Sequence, residues 1–405
     1  MPCCFVLGLF DTGLAVVRAL ARTGIQVRAF DDQENRAGFS SRYGRPEPCP
    51  DPAYEPDAFV AFLLARAEEY PEPPLLFPTS DAFVSVVSNH RNALAGRLRH
   101  ALPSPQAVAN AMNKGEQYAT AMAVGVPIPE THRPASLDDL VELSRRLLYP
   151  VIVKPEVGHV WRREYRREKA IQVEDRDALV TLYREIFSSG HRALVQSLIL
   201  GPNTNHCKVC AYIGAGGSPL ALMCMRKIRQ YPTDFGIGTM MESVEEPEVA
   251  ELGLRFFAAM QWRGPGSIEF KRDDRDGRWK LIELNPRLWQ QNGLAADCGM
   301  NFPLIQYLDL TGQPRTADRY EVGRRWVDEF RDPSSAWIHH RAGHLTFADW
   351  LRSYRGVRSF ALLAADDPCP FLASAARHAN VAFHRALGLL MPAHAVPASS
   401  AAQQH

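Results

Sequence analysis

The sequence predicts a multidomain protein of mixed α/β and α+β class. Over the first 110 residues, short apolar runs alternate with amphipathic helical patterns, the mark of a parallel sheet wrapped by helices. From about 205 to 312 the patterns turn to long strands, a helix and a β-hairpin, and from 313 they read as helical. At 405 residues the chain has room for two or three domains.

In the first unit, residues 1–112, CCFVLGLF reads as a strand and LAVVRALARTG as a helix ended by Gly24. IQVRAFDD is a strand, DAFVAFLLARAEEY a helix and PLLFPTS a strand. Gly8 and Gly13 flank the first strand-to-helix turn, but Phe10 stands where a dinucleotide-binding turn has its second glycine. Asp31 closes the second strand, where a ribose-binding acid would stand. The favoured reading is a Rossmann-like turn that grips no dinucleotide.

The second unit spans 113–312. NKGEQYATAMAVGV and LDDLVELSRRLLY are helices around the loop PIPETHRP. YPVIVKP, AIQVED and RALVQSLILG are strands, with the helix RDALVTLYREIFSSG before the last of them. Residues 313–405 are expected to be a helical segment with Trp326, Trp337 and Trp350 in its core and a frayed tail from Pro392.

Composition narrows the partners. Lys and Arg number 46 against 45 Asp and Glu, a net charge of +1, so no bulk field draws the chain to nucleic acid or an anionic membrane. No long apolar run predicts a membrane span, and the segment MPCCFVLGLFDTG is expected to be a first core strand and not a signal peptide. The eight cysteines, at no framework spacing, fit free thiols in the cytoplasm. Cys207 and Cys210 form a CxxC after His206, but residues three apart on a strand face opposite ways. Buried thiols are therefore favoured there over metal or redox chemistry.

The most informative stretch is GSIEFKRDDRDGRWKLIELNPRLW, residues 266–289. Two strand patterns flank RDG, a three-residue loop with Gly277 in the left-handed bulge position. In that register Asp274 pairs with Arg278 and Glu269 lies opposite Glu283. Ile268, Phe270, Ile282 and Leu284 then share the apolar core face. Two facing carboxylates destabilise a bare sheet unless a cation lies between them. Asn285 joins the same face, and this set of hard oxygen donors suits Mg²⁺ or Mn²⁺ better than zinc. Arg287 follows on that side, so a cation site stands beside a guanidinium, the arrangement phosphoryl transfer needs.

With those residues in view, the sequence resembles the ATP-grasp ligases, whose metal signature closes a hairpin. It appears here as Glu269-Phe270 and Glu283-Leu284-Asn285-Pro286-Arg287. The resemblance covers roughly residues 1–312. It is nearest to the carboxylate–amine ligase branch that includes D-aspartate ligase, above all in RKIRQYPTDFGIGTMMES. It implies an ATP-grasp fold over 113–312 with a lid at about 150–200, preceded by a Rossmann-like domain that is not a dinucleotide site. It implies ATP and two Mg²⁺ or Mn²⁺ ions as cofactors. A carboxylate is phosphorylated to an acyl phosphate, which an amine converts to an amide, with ADP and phosphate released.

The resemblance also assigns roles residue by residue. Lys114 and Lys154 reach the nucleotide phosphates. Gln196 meets the adenine amino edge, the Leu198 backbone makes the neighbouring contact, and Asn203 stands at the ribose; Gln and Asn replace the usual Glu at the first and last of these. The loop over the phosphates, EVGHVWRREYRREK, has one glycine where the family is glycine-rich. Lys169 matches the family position there, while Arg162, Arg163, Arg166 and Arg167 read more as a solvated basic loop. Arg226 and Lys227 are placed on the acid substrate and its acyl phosphate, and Arg287 on the acyl phosphate and tetrahedral intermediate. Thr79, Ser80 and Asp81 either hold the amine substrate or cap a helix. His206 and His159 are weak candidates for a general base. The expected partners are small carboxylate and amine substrates, amino acids first, with a homodimer left open. Three alternatives stay open: a carboxylase acting through bicarbonate, a dinucleotide-dependent oxidoreductase that leaves the glutamate hairpin unexplained, and a non-catalytic nucleotide-binding regulator.

Overall fold

The computed structural model describes residues 1–165 and 168–390; Arg166, Arg167 and the tail from 391 lie outside the described residues. Four parallel strands form the first sheet: β1 (Cys4–Leu7), β2 (Val27–Asp31), β3 (Pro46–Pro48) and β4 (Leu75–Pro78), in the order β3-β2-β1-β4. A central parallel strand is covered on both faces, so it must be apolar on both. Cys4 and Val6 accordingly pack on one side with Leu14 and Val17, and Phe5 and Leu7 on the other with Phe59 and Phe83. The glycines of the first turn answer to backbone packing: a Cβ at Gly13 would lie 1.7 Å from the Gly8 carbonyl oxygen.

A second, antiparallel sheet has the order β5-β8-β6-β7, from β5 (Thr131–His132), β6 (Val151–Pro155), β7 (Ile171–Val173) and β8 (Ala193–Ser197). Leu140, Leu179, Tyr183 and Ile186 from two helices cover Val151, Val153 and Val195. Where a basic loop was expected, residues Gly158–Glu164 form a helix. The reason is Trp161, which is buried in this core with its ring edge-on to Tyr165 at 4.7 Å.

The third sheet is the largest, with β9 (His206–Ile213), β10 (Pro219–Tyr231), β11 (Ile237–Val244), β12 (Gly264–Arg272), β13 (Trp279–Asn285), β14 (Arg325–Val327) and β15 (Val357–Phe360). Their order is β13-β12-β9-β10-β11-β14-β15. One face, carrying Val209, Ala211, Ile268 and Phe270, lies under the helix Pro247–Ala259 through Phe256 and Phe257. The other face opens toward the remaining two sheets and holds the polar residues described below.

The segment after 313 departs from the helical expectation. Its strands β14 and β15 extend the large sheet, because RWV and VRSF are short β-type runs between longer helical ones. Trp326 is buried, but Trp337 is 62% exposed and Trp350 only half-buried. The segment also grips the first domain. Arg18 is buried, and its guanidinium donates to Asp367 Oδ2 at 2.9 Å and to the Leu362 and Asp367 carbonyls at 2.9 and 2.8 Å. Ser41 Oγ and the Arg42 N–H complete the shell of the same carboxylate. Among the described residues no helix is long and apolar enough to cross a membrane.

Candidate active site

Glu269 faces Glu283 across β12 and β13, and Ser267 faces Asn285, as the spacing requires. Beyond the glutamates the register slips by one: Phe270 faces Leu281 and Arg272 faces Trp279. Ile282 is the extra residue of this bulge. Consequently Asp273, not Asp274, pairs with Arg278, and the loop is one residue longer than expected. The buried Asp273 carboxylate organises it, accepting from Arg275 Nη2 at 2.6 Å and Lys280 Nζ at 2.8 Å. Gly277 takes the left-handed conformation, φ +68°. The slip puts Leu281 in the core place expected for Ile282 and turns Ile282 to the cleft beside Glu283.

Paired residues on neighbouring strands share a face, so the cleft floor is a lattice. Asn285, Ser267 and Cys210 make one row; Glu283, Glu269 and Lys208 the next; Lys271 and His206 a third. Each glutamate has a lysine: Lys114 Nζ donates to Glu283 at 2.9 Å, and Lys208 Nζ lies 3.1 Å from Glu269. Lys227 Nζ stands 3.9 Å from Glu269 and donates to Gln230 at 3.1 Å. Burial pushes the Glu283 carboxyl up, but Lys114, Lys169 and Lys154 outweigh it and hold it well below the usual carboxylate range. Glu269 is likewise pushed up by burial and pulled further down by Lys208 and Lys227. Burial, with Lys114 nearby, lowers the Lys154 ammonium to about 8.

The expected site residues are only partly gathered here. Lys114, Lys154, Lys169, Lys227, Glu269, Glu283, Asn285 and Arg287 line one cavity of about 550 Å³, within the usual ~300–1,000 Å³ of ligand sites. Arg226 does not. Neighbours on a strand point to opposite faces, so while Lys227 enters the cleft, Arg226 lies on the far side with its guanidinium 3.7 Å from Glu246. Gln196 reaches the cavity wall with both polar ends engaged: its Oε1 accepts from Lys154 at 2.8 Å and its Nε2 donates to Thr131 Oγ1 at 2.8 Å. It positions a lysine instead of offering a free edge to a base. The Leu198 carbonyl accepts from Arg275 Nη2 at 2.7 Å, and Asn203 opens a short 3₁₀ turn at the cavity edge.

Thr79 Oγ1 donates to the Leu7 carbonyl at 2.9 Å, and Ser80 caps the helix Asp81–Asn89. Asp81 Oδ1 accepts from Arg287 Nε at 2.8 Å, joining the hairpin's end to the first domain. His206 is held neutral: burial, then Lys227, Lys271 and Lys154, drive its pKa well below the ordinary histidine value. Arg162, Arg163 and His159 have side chains outside the described set.

Sequence reasoning missed Lys208 and Lys271. Both sit on cleft-facing positions of β9 and β12, and the alternation His206-Cys207-Lys208 carried the signal once β9 was paired with β12. Eight Lys and Arg side chains line the cavity against four Asp and Glu, a local excess in a chain of net charge +1. His206 Nδ1, Ser267 Oγ and Trp289 Nε1 belong to lining residues and have no hydrogen-bond partner among the described residues. Buried polar atoms left so are costly. Among the described residues no cluster of three or more His, Cys, Asp or Glu could hold a metal; Asn285 shares the face of Glu283, to whose Oε1 its Nδ2 donates at 3.5 Å. Two carboxylates and an amide fit a hard divalent cation shared with a ligand's oxygens. Cys207 and Cys210 are buried free thiols.

No protein-family model matches the chain. It is 22% identical over 265 residues to D-aspartate ligase from Enterococcus faecium (strain Aus0004), across 62% of this chain and 63% of that protein. The chain thus spans less than two thirds of that relative's length. L-amino acid ligase from Bacillus licheniformis superposes with a TM-score of 0.59 at 18% identity, over 77% of this chain and 76% of that one. The biotin carboxylase-beta-gamma-ATP complex from Campylobacter jejuni superposes with a TM-score of 0.61 at 16% identity, over 80% and 74%. At these identities the structural likeness is one of fold.

Proposed function

We propose that this chain, a protein of the ATP-grasp superfamily, is an ATP-dependent carboxylate–amine ligase. One observation carries the reading: two glutamates face each other on a cavity floor crowded with lysines. Such a floor suits a polyphosphate and a divalent cation together. Glu269, Glu283 and Asn285 would hold Mg²⁺, which supplies charge neutralisation on the transferred phosphoryl group.

The chain's own groups account for the rest. Lys114, Lys154 and Lys169 bind phosphate oxygens. Gln196 keeps the Lys154 ammonium aimed by accepting its hydrogen bond. Ile152 and Ile282 offer apolar walls to a base near the Leu198 backbone. A substrate carboxylate attacks the γ-phosphoryl group, giving an acyl phosphate and ADP; an amine then attacks the acyl carbon, giving an amide and phosphate. Lys208 and Lys227 beside Glu269, and Arg287 beyond Asn285, hold the carboxylate and the developing oxyanion. Arg287 is kept in place by Asp81, and Lys208 takes the second role first given to Arg226.

The test is an ADP-release screen over pairs of amino acids, with mass spectrometry of the product. An amide product with stoichiometric ADP is the expected result. Bicarbonate-dependent turnover without an amine would replace the ligase by a carboxylase, and ATP binding without turnover for any pair would replace it by a regulator.

The lowered Lys154 ammonium adds a pH signature. Only protonated Lys154 attracts phosphate, and half of it is deprotonated at about pH 8 in the free protein. Affinity for ATP, measured by calorimetric titration, is therefore expected to fall as pH rises through 8. Lys154→Met should remove that slope along with most of the affinity, whereas an unchanged slope would detach Lys154 from the nucleotide.

A further inference from the structure

The cavity does not stop at the glutamates. It runs on to the carboxyl ends of β1, β2 and β4, where Gly8, Asp31 and Thr79 line it together with Phe10 and Arg36. Ligands commonly bind at this edge of a parallel sheet. Asp31 is only 4% exposed, and its carboxylate accepts the Leu9 N–H and, at 2.9 Å, the Gln33 N–H. Both bonds fix its orientation and leave lone pairs over. The two cavity glutamates, Glu283 and Glu269, are each matched within 3.1 Å by a lysine. Asp31 differs: among the described residues its ion-pair partner is Arg36, with Nε 4.0 Å away, beyond the ~2.7–3.2 Å of a hydrogen bond.

Arg36 is held from another side. Its guanidinium lies 5.3 Å from the centre of the Phe10 ring, a ring that Arg331 also approaches at 5.2 Å. Arg331 itself is satisfied by Asp11 at 3.1 Å and Asp328 at 2.7 Å, so it leaves the cavity pair alone. The result is one carboxylate and one guanidinium, oriented by separate supports, side by side on a cavity wall and not saturating each other.

We propose that Asp31 and Arg36 form the binding site for an α-amino acid, with Asp31 taking its ammonium and Arg36 its carboxylate. A zwitterion carries both charges on adjacent atoms, and a guanidinium matches a carboxylate in two parallel hydrogen bonds. In the ligase reading, on which this inference rests, the ligand is the amine substrate: its nitrogen is delivered from the first domain toward the acyl phosphate over Glu269 and Glu283. The amine substrate is then an amino acid and not a simple amine.

The experiment compares amino acids with their α-amides, which keep the amine and lose the carboxylate. Arg36→Gln is suitable because Arg36 is partly exposed and outside the cores. With a productive amino acid from the ADP-release screen, Arg36→Gln should raise the KM for the amino acid at least tenfold. The KM for ATP should stay within twofold, and Arg36→Lys should recover part of the loss. The α-amide should bind poorly to the parent chain and equally poorly to Arg36→Gln. An unchanged amino-acid KM in Arg36→Gln, or an α-amide as good as the acid, overturns the inference while leaving the ligase reading intact. If no pair releases ADP, the ligase reading fails by itself. Calorimetric titration of the same amino acids and amides into parent and Arg36→Gln, with a non-hydrolysable ATP analogue present, then decides the site: Arg36-dependent binding upholds it and Arg36-independent or absent binding overturns it.

Discussion

Glu283→Ala should lower kcat for ADP release by about 10²–10³-fold, roughly 3–4 kcal/mol of transition-state stabilisation. Glu283 stands at the junction of the site: Lys114 donates to it, Lys169 and Lys154 act on its charge, and Glu269 faces it. Removing it takes away an anionic ligand proposed for the cation and leaves the surrounding lysines to repel one another. ATP affinity should fall less than turnover, since those lysines still attract phosphate. Retention of turnover within tenfold would remove the hairpin from the chemistry.

The same carboxylate predicts an acid limb. Its folded pKa is depressed, so the stability it contributes is present above its unfolded value, ~4.3, and is lost as pH falls through the lower folded value. Glu283→Gln should flatten that part of the stability–pH curve, measured by thermal unfolding between pH 5 and pH 2.

Asp367→Ala is expected to cost about 3–5 kcal/mol of stability, because it leaves the Arg18 guanidinium buried and uncompensated. Both members are almost fully buried, and Ser41 and Arg42 lose their acceptor at the same time. The readout is urea unfolding followed by tryptophan fluorescence. Replacing both charges, Arg18→Met with Asp367→Leu, should recover most of the loss, since a matched apolar pair replaces a buried ion pair at little cost. If the single variant unfolds at the parent's urea concentration, the C-terminal segment does not hold the first domain as the structure indicates.

Much of this architecture was legible in the sequence because its determinants are local. The strand–helix alternation of the first domain follows from apolar period, and the opposition of Glu269 and Glu283 follows from a turn signal and a parity of spacing. The parity survived even though the loop was one residue longer, because the bulge at Ile282 took up the difference. That compensation depends on a buried Asp273 gripping Arg275 and Lys280, which no local propensity announces.

What the sequence determined by itself was the strand–helix alternation of the first unit, the facing carboxylates and the order of the lysines along the chain. Tertiary structure decided which charges share the cleft. Arg226 and Lys227 are neighbours in sequence and lie on opposite faces of one strand, while Lys208 reaches Glu269 only because β9 lies beside β12. It also decided that the segment after 313 completes the large sheet and that Asp81, at the start of the helix after β4, meets Arg287 beyond the end of the hairpin. The physical reason is the same in each case. Periodicity fixes the direction of a side chain relative to its own element, whereas the partner it meets depends on how distant elements are paired and packed.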